Sequence, residues 1–213
     1  VNVGGTYWGA PATFFHPFRG PWSKTDPELR YVPVGTGKPG DYLTDKLTDH
    51  ALQFIDQQQS NPFFLSLWFH TVHTPIEGKP KLVQHFQAKK PGKIHNHSEY
   101  AAMVASLDHN VGRVLQRLDE LKLADNTVVI FFSDNGGLST LRGPGPGCNS
   151  PLRAGKGWLY EGGVREPTII RAPGITKPGS VSEEPVVSMD FFPTMLHLAG
   201  LPLKPKLHSD GRS

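Results

Sequence analysis

The residues of this chain with the clearest chemical potential stand at the end of an apolar run. Residues 128–132 are β-branched or aromatic, and the run stops at a Ser-Asp-Asn-Gly-Gly sequence at 133–137. The run predicts a buried strand. The carboxylate of Asp134 and the amide oxygen of Asn135 are hard ligands that suit Ca²⁺ or Mg²⁺. An ordinary turn is the alternative, because Asp, Asn and Gly all favour turns.

A lysine between two glycines follows further along the chain. Lys156 stands in a Gly-Lys-Gly sequence, so no neighbouring side chain crowds an oxyanion that approaches its ammonium group. A point charge on a flexible stem suits sulfate or phosphate. Glu161 and Arg165 could pair and brace this Gly-rich loop. This second segment favours a metal site over an ordinary turn at Asp134.

The two segments, in this order and spacing, closely resemble the type I sulfatase family of the alkaline-phosphatase-like superfamily. The resemblance runs from about Gly4 to the last residue. It includes the Gly-Lys-Gly to Tyr-Glu-Gly-Gly-Val-Arg-Glu-Pro sequence at 155–167 and a strand-like segment at 62–75 that leads to a histidine. Later landmarks are Asp-Phe-Phe-Pro-Thr and Asp-Gly-Arg-Ser, at 190–194 and 210–213. The nearest relatives look like bacterial arylsulfatases or N-acetylgalactosamine-6-sulfatases.

The resemblance implies roles for individual residues. Asp134 and Asn135 match two protein ligands of a divalent cation, expected to be Ca²⁺ rather than Mg²⁺. Lys156 matches the lysine that contacts the sulfate and the leaving-group oxygen. His73 matches the histidine near the leaving group, as proton donor or sulfate ligand, and an imidazole suits proton transfer near neutral pH. The implied activity is hydrolysis of sulfuric esters, either sulfated sugars or aryl sulfates.

Two of these assignments compete with other interpretations. Composition alone does not separate His73 from His70, which stands three residues earlier. The family position of the His-Thr-Pro sequence favours His73, and His70 is then a hydrogen-bonded residue at the end of a strand. Arg153 could bind a carboxylate or sulfate of the substrate, or it could form a structural ion pair. Asp190 is expected to cap a helix.

Parts of the family pattern are absent from this sequence. Family members carry a Cys-x-Pro-x-Arg or Ser-x-Pro-x-Arg sequence whose Cys or Ser becomes a formylglycine nucleophile, and neither form occurs here. Cys148, the sole cysteine, is rejected as nucleophile because Pro151 is one position too late. An Asp-Asp pair and a Gly-Lys-Trp-His-Leu-Gly segment are also absent. We therefore expect residues 1–213 to be a partial catalytic domain without its nucleophile half and C-terminal subdomain, inactive by itself.

Two other functions stay open at this point. A phosphatase or phosphonate hydrolase of the same superfamily would share the chemistry of a metal-bound oxyanion. A catalytically dead sugar-binding relative would keep the later metal and sulfate positions without a nucleophile. The relatives are usually exported or lysosomal, so the resemblance implies a periplasmic or extracellular protein.

Composition limits the class of protein further. The chain has 213 residues, of which 37% are hydrophobic and 19% charged, which is typical of a globular protein with a substantial core. Its formal net charge is +3 and its basic residues form no long run, so nucleic acid is not an expected partner. No apolar run is long enough to span a bilayer. The oligomeric state is open.

The helices and strands that the sequence predicts around these residues alternate along the chain. This order indicates an α/β fold with a mostly parallel or mixed sheet flanked by helices. Apolar residues at helical spacing predict helices at 41–58, 99–121 and 190–199, the last with Ser188 as its cap. Apolar runs predict strands at 63–69, 127–133 and 168–171. Residues 76–97 are predicted to form an irregular excursion over the site.

Overall fold

The computed structural model describes residues 13–18, 37–141, 143–208 and 210–213, and these residues fall into two compact units. The first unit takes the described residues of Val1–Ala124 and Phe132–Thr168. The second takes Asp125–Phe131 and Ile169–Ser213. All the candidate site residues belong to the first unit. The single partial domain expected from the sequence stays a prediction.

Three helices build most of the first unit: α1 (Leu43–Gln58), α2 (Pro80–Gln87) and α3 (Ser98–Glu120). Both α1 and α2 pack against α3. The buried side chains of α1 recur every three or four residues, as the amphipathic pattern predicted, and are Leu43, Thr44, Leu47, Thr48, Ala51 and Ile55. The predicted helices at 41–58 and 99–121 are therefore confirmed.

Polar side chains fix the register of α1 against α3. Asn110 is fully buried on α3, and its Nδ2 donates to Asp45 Oδ1 on α1 at 2.8 Å. Nearer the helix ends, Arg117 Nε donates to Asp56 Oδ1 at 2.6 Å. This solvent-accessible ion pair contributes little to stability. The buried amide matters more, because a change there leaves polar atoms without partners.

The hydrophobic core of the first unit forms where the start of α1 meets α3. Its buried members are Phe14, Phe18, Tyr42, Leu43, Leu47 and Met103, with Leu67 and Phe69 packed against them. Burial of one such side chain contributes roughly 1.5–3 kcal/mol. This core anchors the segment 63–70 to the helices, and that segment leads directly to His73.

Residues 63–69 do not form the predicted strand. Exposed side chains, including Phe64 and Trp68, alternate with half-buried ones. A strand also needs a neighbour for its N–H and C=O groups, and no described segment pairs with this one. The apolar run therefore predicted a strand, but it could not predict whether a pairing partner lies beside it.

Residues 76–97 are also more regular than predicted, because they contain α2. Pro80 occupies the first turn of this helix, where its missing N–H costs nothing and its fixed φ favours the helix. Prolines and lysines in this region suggested a loop. The helical conformation of these eight residues arises with packing against α3, a contact that local composition does not encode.

The smaller elements of the first unit lie near the candidate site. A short antiparallel pair, β2 (Thr140–Leu141) and β3 (Gly143–Pro144), follows the Asp-Asn turn. A single helical turn, α4 (Glu161–Val164), comes after the lysine. No helix in the described ranges is long and apolar enough to cross a membrane.

A two-stranded sheet of β1 (Val129–Phe132) and β4 (Thr168–Arg171) confirms the two strands predicted there. The predicted burial of the first strand is wrong, because its first three residues are half-buried and Phe132 is exposed. The second unit also contains α5 (Ser188–Leu198). Val187 occupies the N-cap position and Ser188 is already helical, so the predicted serine cap is wrong by one residue.

Asp190 takes part in the N-terminal capping of α5, as expected from the sequence, but as the third residue of the helix rather than at the N-cap position. Its Oδ2 accepts a hydrogen bond from the amide of Val187 at 3.1 Å, and its Oδ1 accepts one from the amide of Arg212 at 2.9 Å. These hydrogen bonds hold the pKa of Asp190 below its usual value, and the one from the Arg212 amide has the largest effect. The carboxylate thereby ties the Asp-Gly-Arg-Ser segment to the start of α5.

Candidate functional site

The candidate residues lie mainly on two loops of the first unit. The aspartate loop, residues 133–139, follows β1 and carries Asp134 and Asn135. The lysine loop, residues 149–163, carries Lys156 and runs into α4. Whether a carboxylate and an ammonium group can serve one site depends on how these loops are joined.

Backbone hydrogen bonds join the two loops directly. The amide of Lys156 donates to the carbonyl of Gly137 at 3.2 Å, and the amide of Gly136 donates to the carbonyl of Gly163 at 3.2 Å. Main-chain bonds of this kind hold the loops in register whatever their exposed side chains do. The structure thus joins the loop that carries the candidate lysine to the loop that carries the two candidate metal ligands.

Asn149 adds a side-chain bridge that the sequence analysis missed. Its Nδ2 donates to the carbonyl of Gly137 at 2.8 Å and to the carbonyl of Ala154 at 3.0 Å. Ser139 Oγ donates to the same Ala154 carbonyl at 3.0 Å. Each polar side chain therefore closes a contact from one loop to the other. One acceptor, the carbonyl of Gly137, lies on the other loop and 12 positions away, so no local pattern could have revealed the role of Asn149.

Glycines make this close approach possible. A Cβ on Gly136 would collide with the carbonyl oxygen of Gly162, and a Cβ on Gly163 would collide with that of Trp158. Gly136, Gly162 and Gly163 are all buried. Backbone can therefore pack on backbone, which only glycine permits at such spacing. The Gly-Gly pairs that the sequence displays are contact points as well as turn residues.

The Asp134 carboxylate is exposed and accepts no hydrogen bond within the described part of the chain. Asn135 is half-buried, and its carbonyl accepts a hydrogen bond from Ser133 Oγ at 2.9 Å. The side-chain oxygens of both residues are suited to a hard cation. No group of three or more His, Cys, Asp or Glu side chains that could hold a metal occurs among the described residues. Asp134 and Asn135 can therefore supply only part of a complete ligand set.

Glu166, which the sequence analysis left without a role, lies close enough to Asp134 for their charges to interact. Burial first, and then the negative charge of Asp134, raise the pKa of Glu166 above its usual value. Its Oε1 is buried and has no hydrogen-bond partner in the described part of the chain. A cation beside Asp134 would offset this repulsion. The oxygen donors and the unpartnered carboxylate oxygen fit a divalent cation such as Ca²⁺.

Arg153 stacks on an aromatic ring and forms none of the ion pairs found among the described residues. Its guanidinium carbon lies 3.7 Å from the centroid of the Tyr160 ring. Of the two alternatives for Arg153, the structural ion pair is therefore not observed among the described residues, and a cation–π contact takes its place. Arg165 and Glu161 do pair, at 3.3 Å, as predicted, but both are largely exposed, so the pair stabilises the loop only weakly.

His73 lies on a different segment, between residues 63–70 and α2. It is exposed, and its Nδ1 contacts the carbonyl oxygen of Thr74 at 2.9 Å. Its amide donates to the carbonyl of His70 at 2.8 Å, and His70 is half-buried. The hydrogen bonds of His73 thus stay within its own turn, whereas those of Lys156 reach the aspartate loop. The role of His73 stays a prediction.

Comparisons with known proteins agree with the motifs. Residues 6–201 match the model of the Sulfatase family, and the chain belongs to that family. A sulfatase from Formosa agariphila is 41% identical over 186 residues, which are 81% of this chain and 33% of that protein. Human arylsulfatase A is 37% identical over 162 residues, covering 76% of this chain and 30% of its own length. The predicted sulfatase resemblance is confirmed.

Solved structures confirm the fold class. The crystal structure of Ps i-CgsB in complex with k-i-k-neocarrahexaose has a TM-score of 0.72 and 36% identity, covering 81% of this chain and 37% of that one. The fold is therefore the α/β, alkaline-phosphatase-like fold of sulfatases, represented in the described residues by helices and a small sheet. The chain spans about a third of the length of these relatives.

Proposed function

We propose that this chain supplies the later metal- and sulfate-binding residues of a sulfuric-ester hydrolase, whose formylglycine nucleophile lies outside these residues. One observation carries the proposal. The amide of Lys156 is hydrogen-bonded to Gly137, so the lysine is held beside the turn that carries Asp134 and Asn135. A cation ligand set and a sulfate-binding ammonium group on adjoining loops are what transfer of a sulfuryl group requires.

Asp134 and Asn135 would hold the cation, for which Ca²⁺ is the best match to their oxygen donors. When bound, the cation would act as a Lewis acid that withdraws charge from the sulfate oxygens. Lys156 is half-buried, so its positive charge is less screened than that of a fully exposed lysine. Its ammonium group would bind a sulfate oxygen and the leaving-group oxygen as negative charge develops there.

His73 would complete the reaction by protonating the leaving alcohol. Nδ1 of His73 is engaged within its own turn, where it contacts both the carbonyl oxygen of Thr74 at 2.9 Å and the Thr74 hydroxyl at 3.2 Å. The second nitrogen, Nε2, makes no hydrogen bond within the described residues and is exposed with the ring. In the imidazolium form, Nε2 would therefore donate the proton to the leaving-group oxygen.

Sulfated carbohydrates are the proposed natural substrates, and small aryl sulfates the convenient artificial ones. The similar Ps i-CgsB was solved with an oligosaccharide, k-i-k-neocarrahexaose. The exposed arginine and aromatic rings of the lysine loop also suit a sugar that carries negative charge.

The test is an assay of the full-length protein with an aryl sulfate, an aryl phosphate and an aryl phosphonate, before and after chelation and after Ca²⁺ is restored. We expect turnover of the sulfate ester that chelation abolishes. Lys156→Ala should reduce kcat by roughly 10²–10³-fold, as expected for loss of a charge that stabilises the transition state. Asp108→Asn, an exposed change on α3, is the matched control.

The other outcomes separate the alternatives. Turnover of the phosphate or phosphonate ester with the sulfate ester inert would establish a phosphatase or phosphonate hydrolase. Binding of sulfated sugar without turnover of any ester would establish a catalytically dead relative. Either outcome would contradict the proposed sulfatase.

A further inference from the structure

The lysine loop displays an aromatic surface two residues beyond Lys156. Trp158 is 53% exposed and Tyr160 is 41% exposed. Their ring centroids are 6.4 Å apart and their planes differ by 19°. Single exposed apolar side chains are ordinary on protein surfaces. Two nearly parallel, exposed rings on one short loop are a different feature, because together they concentrate aromatic surface close to Lys156 in the sequence.

This aromatic surface is held in place before any ligand arrives. The indole Nε1 of Trp158 donates to Thr140 Oγ1 at 3.0 Å, and the Trp158 amide donates to the carbonyl of Gly155 at 3.1 Å. Gly163 leaves room for the carbonyl oxygen of Trp158, because a Cβ on Gly163 would collide with that oxygen. A ring that is already fixed loses little conformational entropy on binding, which favours affinity.

A positive charge borders the aromatic surface. The guanidinium of Arg153 lies 3.7 Å from the Tyr160 centroid, while the ion pairs among the described residues do not include it. The nearby Arg165, in contrast, is paired with Glu161. Arg153 therefore keeps its donors available to an anionic group, and the aromatic ring orients its planar fork.

We propose that Trp158, Tyr160 and Arg153 form a subsite for a second sugar ring of an anionic oligosaccharide, adjacent to the ring whose sulfate ester is cleaved. A pyranose presents an apolar C–H face that an aromatic ring can cover. Its sulfate or carboxylate substituents can accept paired hydrogen bonds from a guanidinium. This inference rests on the proposed function, because it places the subsite beside the lysine that would bind the cleaved sulfate.

Only an oligosaccharide has a second sugar ring, so only an oligosaccharide can gain binding energy from this subsite. The full-length protein should therefore be assayed with a sulfated oligosaccharide and with a small aryl sulfate. For Trp158→Ala we expect kcat/KM on the oligosaccharide to fall about tenfold, and kcat/KM on the aryl sulfate to stay within about twofold. Arg153→Gln should reduce kcat/KM only for oligosaccharides that carry an anionic group on the second ring.

Two matched controls accompany these variants. Leu159→Ala alters the residue between the two rings, which is 94% exposed, and Trp68→Ala removes an indole that is 78% exposed on another segment. Both should leave the ratio of kcat/KM on the two substrates unchanged. Thermal melting of every variant verifies that the fold is intact.

Two results would overturn the subsite. Equal losses on both substrates would mean that the aromatic surface holds the lysine loop or packs against another part of the protein. Unchanged kinetics on both would mean that it binds nothing. A wild-type protein without turnover would instead count against the proposed function. Calorimetric titration with the same oligosaccharide would then decide, since binding that Trp158→Ala abolishes supports the subsite and no binding to the wild type refutes it.

Discussion

The amide of Lys156 donates a hydrogen bond to the carbonyl of Gly137, 3.2 Å away, and so ties the candidate sulfate-binding lysine to the loop that carries the candidate metal ligands. The bond uses main-chain atoms, so it leaves the ammonium group free to meet a substrate. This hydrogen bond links the position of the lysine loop to that of the aspartate loop. Changes that separate the loops should therefore impair both cation binding and turnover, even when every charged residue is kept.

Gly136→Ala tests the contact between the loops. The added methyl group would collide with the carbonyl oxygen of Gly162, so the loops must move apart. We expect a loss of roughly 1–3 kcal/mol in the free energy of unfolding, typical of overpacking, and weaker Ca²⁺ binding. Denaturant unfolding and calorimetric titration with Ca²⁺ measure the two effects.

The matched control is Gly112→Ala, on α3. A Cβ at this exposed helical position meets nothing within 4 Å, so the same change should stabilise the protein by about 0.5–1 kcal/mol. Equal behaviour of the two variants would contradict the close packing described for Gly136.

Asn149→Asp tests the side-chain bridge. Aspartate has nearly the same shape, but its carboxylate cannot donate to the carbonyls of Gly137 and Ala154 and would face them with a negative charge. We expect destabilisation of about 1–3 kcal/mol and a fall in kcat that exceeds the change in KM, because Lys156 loses its position. Asn126→Asp, an exposed change, is the control, and an unaltered melting temperature in Asn149→Asp would refute the bridge.

Glu166→Gln tests the repulsion between Glu166 and Asp134. Because the pKa of Glu166 is raised in the folded state, its ionised form opposes folding at every pH above the ordinary carboxyl pKa of 4.5. Without added metal, the variant should therefore be more stable than the wild type at pH 7, and the difference should vanish below pH 4.5. Added Ca²⁺ should raise the melting temperature of the variant less than that of the wild type.

Melting curves at several pH values, with chelator and with Ca²⁺, measure this difference. Glu183→Gln removes an exposed carboxylate. It should change neither the stability at pH 7 nor the increase in melting temperature that Ca²⁺ produces. A larger Ca²⁺-dependent increase in the melting temperature of Glu166→Gln than of the wild type would contradict the assignment of Glu166 to the cation site.

Asp190→Asn tests the link between α5 and the Asp-Gly-Arg-Ser segment. The folded-state pKa of Asp190 is lowered below 3.8, chiefly by the Arg212 amide, so its stabilising effect is present above pH 3.8 and is lost as the pH falls through the lower value. We expect the wild type to be more stable than the variant at pH 7, with the gap closing in strong acid. A gap that does not depend on pH would show that the charge is unimportant.

The periodic elements were predictable from the sequence because their signals are local. The apolar repeat of α1 and the long repeat of α3 appear at nearly their predicted bounds, and β4 appears at its predicted residues. The apolar run at 63–69 predicted a strand, but no described strand pairs with this segment. Helix α2 was missed because its conformation accompanies packing against α3.

Some residues of the candidate site were predictable from the sequence and others were not. Residue chemistry and the family resemblance singled out Asp134, Asn135 and Lys156, and the structure brings their loops together. Asn149 and Glu166 were missed. Asn149 contacts two carbonyls that lie on different loops, and Glu166 meets Asp134 across 32 positions of sequence that the spacing of motifs does not bridge.

The sequence by itself determined the kinds of group available: hard oxygen ligands, a lysine free of crowding neighbours, and glycines where the chain could turn. The tertiary structure alone decided which carbonyl each glycine would approach and which atoms Asn149 would join. The physical reason is that a missing Cβ permits a close contact without specifying it. Only the packing of distant backbone segments selects the partner.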